Sequence, residues 1–98
     1  MAVVKIIWTR QALADLAEAR AYVEDTSPQG LAKVEERLEH TLKMLRIDPL
    51  NTTKSWYVEG TREIAVDGTF FMFVLRMRGI KVEILGQLHL SRPWTAGA

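Results

Sequence analysis

Near its C-terminal end the chain reads "ILGQLHLSRPW", from Ile84 to Trp94. His89 and Arg92 are the residues of this stretch best able to do chemistry. An imidazole exchanges a proton near neutral pH, and a guanidinium grips a phosphate or carboxylate through paired N–H donors. Arg62, on an earlier strand, supplies a second guanidinium. His89, Arg92 and Arg62 are therefore the candidate catalytic residues for metal-independent RNA cleavage, which needs proton transfer and cations around the phosphorane. The same residues also fit a strand end at which the histidine only caps or hydrogen-bonds. No diagnostic spacing separates the two readings.

Other chemistry finds less support. With no cysteine there is no disulfide, thiolate zinc site or thiol nucleophile. Gly-rich phosphate loops, metal-ligand spacings and nucleophile elbows are missing too, so no cofactor and no metal are expected. Glu59, Glu63 and Glu83 are carboxylates whose register periodicity does not set, so no hydrolytic pair is assigned. Residues 51–98 hold six Lys or Arg against four acids, with Arg62, Arg76, Arg78, Lys81 and Arg92 on strands or turns. Arg62 and Arg92, if on neighbouring strands and facing one way, make one anion-binding patch; a solvated face is the alternative. With a net charge of only +1, placement matters more than the sum, and sequence-specific DNA binding is not expected. Phe70, Phe71 and Phe73 are read as core rather than as a base-stacking platform. Tyr22, Met44 and Ile47 fall off the main helical stripes and suggest an apolar groove for a partner segment.

The elements that must position these residues follow from periodicity. At 98 residues, 48% hydrophobic and 26% charged, the chain is expected to form one domain over residues 1–98. No run approaches the roughly 20 apolar residues of a membrane-spanning helix, and no secretory leader is visible, so a cytoplasmic location without membrane association is expected. "VVKIIW" alternates as an opening strand, with Val4, Ile6 and Trp8 on one side. Thr9 caps a helix whose stripe is Ala12, Leu16, Ala19 and Val23 with Leu13 beside it, and whose outer face holds Asp15, Glu18, Arg20 and Glu24. Ser27-Pro28 starts a second helix, striped by Leu31, Val34, Leu38, Leu42 and Leu45, which stops at Asp48-Pro49. Leu50 to Gly60 reads as a loop pinned by Trp56 and Tyr57. Three strands follow, turning at Asp67-Gly68 and Arg78-Gly79. In the last, Ile80, Val82, Ile84, Leu88 and Leu90 are assigned to one face and Lys81, Glu83, Gln87 and His89 to the other. The expected class is α+β, ordered β-α-α-β-β-β: a helical hairpin packed on a small, mostly antiparallel four-stranded sheet.

This order, together with "EILGQLHLSRPW", resembles the RelE/ParE superfamily of type II toxin–antitoxin toxins, and the ParE-like branch most closely. "ALADLAEARAYVED" is similar to the branch's first helix at Ala14, Asp15, Leu16, Tyr22 and Val23; Asp48-Pro49, Thr61-Arg62-Glu63 and Gly68 follow its pattern; and His89, Arg92 and Trp94 fall on the positions of its closing motif. Pro93 departs from it, where an acid is common. RelE-like ribosome-dependent nucleases carry lysines before the hairpin, Arg and often Tyr within it, and a late tyrosine. Here "GTREIAV" and "TFFMFVL" lack most of that set, and of it only Arg92 matches. The resemblance implies a non-enzymatic inhibitor of DNA gyrase, neutralised by a cognate antitoxin. It implies target binding through Arg62, His89, Arg92 and Trp94, and antitoxin binding near Tyr22, Met44 and Ile47. The alternatives are a RelE-like mRNA endonuclease, or a degenerate member that only binds antitoxin.

Overall fold

The computed structural model describes residues 4–54 and 59–89. Strand β1 (Lys5–Trp8) leads into helix α1 (Arg10–Thr26) and helix α2 (Pro28–Ile47); strands β2 (Thr53–Lys54), β3 (Arg62–Ala65), β4 (Phe71–Arg78) and β5 (Lys81–His89) follow. The sheet has five strands rather than the expected four, in the order β1-β5-β4-β3-β2. The additional strand is β2, two residues in a stretch read as loop because so short a pairing has no period of its own. It is held by Thr53 opposite Glu63 and Lys54 opposite Arg62. Trp56 and Tyr57, expected to pin that loop, lie outside the described residues.

Local signals account for the helices. Thr9 Oγ1 accepts from the Ala12 amide at 3.1 Å and so caps α1. Ser27 closes α1 through its amide to the Val23 carbonyl and opens α2 ahead of Pro28, whose missing N–H is no loss in a first turn. One residue between two helices leaves them as an antiparallel hairpin. Asp48 leaves the helical conformation ahead of Pro49.

The hairpin packs on one face of the sheet. Ala12, Val23 and Leu38 meet Phe71, Phe73 and Ile84 there, while Leu45 meets Leu75 and Val82. The Trp8 ring stands edge-on to Phe73, with centroids 5.5 Å apart. Both helical stripes lie where periodicity puts them. Leu13 does not: it is 51% exposed, outside the contact arc of α1.

The last strand departs from simple alternation. Val74 pairs with Gly86 but Leu75 pairs with Ile84, so Leu85 is an extra residue, a β-bulge. An inserted residue exchanges the faces of everything beyond it. Val82 and Ile84 face the helices, whereas Leu88 falls on the opposite face with Met72 and Val74, and Gln87 comes opposite Phe73 on the helix side. The expectation that Leu88 continues the Val82–Ile84 row is therefore overturned. Ile80 is likewise not a row member but an exposed turn residue beside Gly79, whose φ of +59° permits the tight hairpin.

Asp15 is a second correction. β1 accompanies β5 only as far as Trp8 opposite Ile84, so beyond that point one backbone edge of β5 has no strand beside it. Thr9 donates its amide and hydroxyl to the Ile84 carbonyl, and the Asp15 carboxylate accepts the Gln87 amide at 2.9 Å. Asp15 is thus turned to the sheet rather than to the outer helical face, because a buried amide needs an acceptor.

Two stability outcomes are expected in chemical denaturation. Phe73→Ala, which empties the centre of the helix-side core, loses about 3–5 kcal/mol. Asp15→Ala leaves the Gln87 amide without its charged acceptor and loses about 1.5–3 kcal/mol, with Asp15→Asn milder and Glu24→Ala on the outer face near neutral.

Candidate functional site

The predicted target-binding residues divide between the ends and faces of the sheet. His89 closes β5 opposite Phe71 in the register. Its side chain, together with Arg92 and Trp94, lies outside the described residues. Arg62 opens β3 opposite Leu75, in the row that continues through Ile64 on the helix-facing side. Its guanidinium is engaged locally, Nε donating to Thr52 Oγ1 and Nη2 to the Thr52 carbonyl. Arg62 therefore ties the β2 segment to the sheet. Arg76, Arg78 and Lys81 sit on the other face, because their neighbours Met77 and Val82 point to the helices. Among the described residues, Arg62 thus does not share a patch with Arg76, Arg78 and Lys81.

Two polar side chains inside the sheet are incompletely paired. Gln87 Nε2 and Oε1, unlike its backbone amide, and Glu63 Oε2 are buried without a hydrogen-bond partner among the described residues. Burying such atoms without a partner is costly. Gln87 came to this position through the bulge, which alternation cannot reveal.

The predicted antitoxin contacts are exposed, Tyr22 at 39%, Met44 at 40% and Ile47 at 47%. Met44 and Ile47 are neighbours one turn apart on α2, but Tyr22 is not brought to them. At about 1.5 Å per residue from the Ser27 turn, Tyr22 and Met44 lie roughly 18 Å apart along the hairpin. Between the helices instead runs a cleft of about 330 Å³. Trp8, Leu16, Leu38 and Leu42 form its apolar floor, and Arg20, Glu35, Glu39 and Arg46 its charged rim. The Arg20–Glu35 ion pair, 3.2 Å, bridges the helices across it. Sequence reasoning assigned the floor residues wholly to the core; the available signal was a stripe on two helices joined by one residue, with too few large side chains to fill the seam.

At the β4–β5 turn, Glu83 Oε1 accepts from Arg76 Nε at 3.0 Å and lies 3.4 Å from Arg78 Nη1. The Arg76 hydrogen bond is the largest influence and, with the positive charge of both arginines, holds the Glu83 carboxyl below its usual range, although burial, the next largest influence, opposes it. A depressed carboxyl pKa stabilises the fold above the unfolded-state value and ceases to do so as pH falls through the folded one. Acid titration of stability is thus expected to show a loss below about pH 4.5 that Glu83→Gln removes, with no change at neutral pH from the titration itself.

No protein-family model matches the sequence, and no curated protein matches it. Solved structures do. A chain of the chromosomal ParDE toxin–antitoxin system from P. aeruginosa superposes with a TM-score of 0.75 at 21% identity, covering 90% of this chain and 97% of that one. A chain of the toxin–antitoxin complex RelBE2 from Mycobacterium tuberculosis superposes with a TM-score of 0.62 at 26% identity, covering 91% and 93%. A helical hairpin on a mostly antiparallel sheet, the strand order and the superpositions over nine-tenths of the length agree with the superfamily resemblance carried by "QLHLSRPW": this chain has the fold of the RelE/ParE superfamily.

Proposed function

We propose that this chain is the toxin of a type II toxin–antitoxin pair, that a cognate antitoxin neutralises it, and that its target is DNA gyrase. The toxin reading is supported by the likeness to chains of the ParDE and RelBE2 toxin–antitoxin complexes. One observation carries the choice of gyrase over message cleavage. From Phe71 to Leu75 the central hairpin strand is buried and apolar, and the one arginine of β3 is occupied by Thr52. Cutting RNA without a metal takes a base, an acid and cations around the phosphorane. Glu63 on β3 is buried at its unpaired oxygen, and Arg76 and Arg78, further along β4, share Glu83 on the opposite face, which leaves the task to His89 and Arg92. A docking surface has no such requirement, and tryptophan and arginine, as at Arg92 and Trp94, are frequent interface anchors.

The antitoxin segment fits the cleft between α1 and α2. An amphipathic helix would lay apolar side chains on Trp8, Leu16, Leu38 and Leu42 and meet the mixed charges of the rim. The second reading, a ribosome-dependent endonuclease, is favoured by the likeness to RelBE2, the higher of the two in sequence identity.

Supercoiling assays with purified gyrase, run beside primer extension on translated messages, discriminate the two. Inhibited supercoiling with intact messages is expected; site-specific message breaks with unaffected supercoiling would sink the gyrase reading. Co-expression with the neighbouring operon gene is expected to recover a complex. Arg20→Glu with Arg46→Glu is expected to weaken it at least about tenfold while leaving the melting temperature nearly unchanged, since exposed ion pairs contribute about 0–1 kcal/mol to folding.

A further inference from the structure

The sheet face turned away from the helices carries a row of like charges. Val82 and Met77 point into the helix-side core, so Lys81 and Arg78 point the other way, and Lys5, opposite Lys81, shares their face. Lys5, Lys81 and Arg78 therefore stand abreast on three adjacent strands. Arg76, one row along on the same face, makes a fourth cation. The acid among them is Glu83, and both arginines share its single oxygen Oε1. Lys5 and Lys81 are exposed and have no ion pair among the described residues. Four cations against one carboxylate leave three positive charges uncompensated.

Like charges directly opposite on neighbouring strands destabilise a sheet. Folding thus does not account for this row, whereas binding an anion does. The row is also rigid: β5 is paired on both sides and the hairpin turn is short, so little order remains to be imposed on binding. At about 4.8 Å per strand the three cations extend across roughly 10 Å. That length of duplex axis carries roughly six phosphate charges, enough to meet all of them. A single-stranded ligand would call for exposed aromatic rings to stack its bases. On this face the described neighbours are Ile7, Glu63, Met72, Val74 and Leu88; Phe71 and Phe73 are in the helix-side core, and Phe70, exposed rather than core as expected, precedes β4 at the end away from the cations. An acidic polypeptide could add to the outer edge of β1, which ends the sheet, so polyglutamate is an arm of the test below.

We propose that Lys5, Arg76, Arg78 and Lys81 form a sequence-independent binding surface for the phosphate backbone of double-stranded DNA. It lies at the β4–β5 turn, at the other end of β5 from His89. The inference rests on the sheet face and not on the toxin's target, and its test contains no gyrase.

Fluorescence anisotropy of the full chain with two unrelated 30-base-pair duplexes, titrated with salt, reads it. Equal affinity for both duplexes is expected, with a log–log salt slope of about −3 from about three neutralised phosphates. Lys5→Glu with Lys81→Glu is expected to weaken binding at least about tenfold, and Lys33→Glu with Lys43→Glu on α2, the same change of net charge, less than about twofold. Lys5→Gln with Lys81→Gln, which removes charge without reversing it, gives the same reading should the double reversal fail to fold. An equal loss in the α2 variant, preference for single-stranded oligonucleotide or polyglutamate, or no binding at low salt would overturn the proposal.

Discussion

The bulged central strand β5 has a backbone edge that its own sheet does not finish, and the rest of the architecture is arranged around that fact. β1 covers only the first part of this edge. Beyond it, Thr9 and Asp15 supply the hydrogen-bonding partners, so one residue type at the helix cap and another a turn and a half later dock α1 on the sheet. A buried peptide group left open costs as much as a lost hydrogen bond, and the helix cannot slide or rotate without incurring it. With α1 held, the one-residue connection at Ser27 constrains α2, and the core between Leu45, Phe73 and Ile84 follows.

The bulge at Leu85 has a consequence at both ends of β5. Before it, the strand sends Val82 and Ile84 to the helices and leaves Lys81 and Glu83 on the open face; after it, the assignment reverses. One strand thereby presents charge on the open face at the hairpin turn and apolar side chains on that same face further along. The buried side-chain amide of Gln87 is on the helix side opposite Phe73, where an unbroken strand would have put Gly86. Bulges recur next to functional sites because they re-aim side chains in this way.

The surfaces left for partners have different physics. The cleft between the helices is apolar at its floor and mixed in charge at its rim, and buries area when filled. The open face near the turn offers charge without a pocket, and its interactions weaken with salt. Arg62, which belongs by type to the second kind, is withdrawn from it by Thr52.

Sequence alone determined the class, the order of the helices and their stripes, the cap at Thr9, the start of α2 at Ser27-Pro28 (though the Ser27 side chain makes no capping hydrogen bond), and the hairpin turns at Gly68 and Gly79. Each of these is set by residues within a few positions of one another, where period, cap chemistry and glycine's freedom at positive φ act directly. The superfamily resemblance was legible in the same way, from short stretches such as "QLHLSRPW". Tertiary structure decided what depends on pairing between distant segments: the two-residue strand β2, the bulge that moved Gln87 and Leu88 to opposite faces, the inward turn of Asp15, the Thr52 clamp on Arg62 and the alignment of Lys5 with Lys81 and Arg78. Alternation shows that a strand has two faces, but which face a residue takes is fixed by the register with a neighbour tens of residues away, and a single inserted residue reverses it.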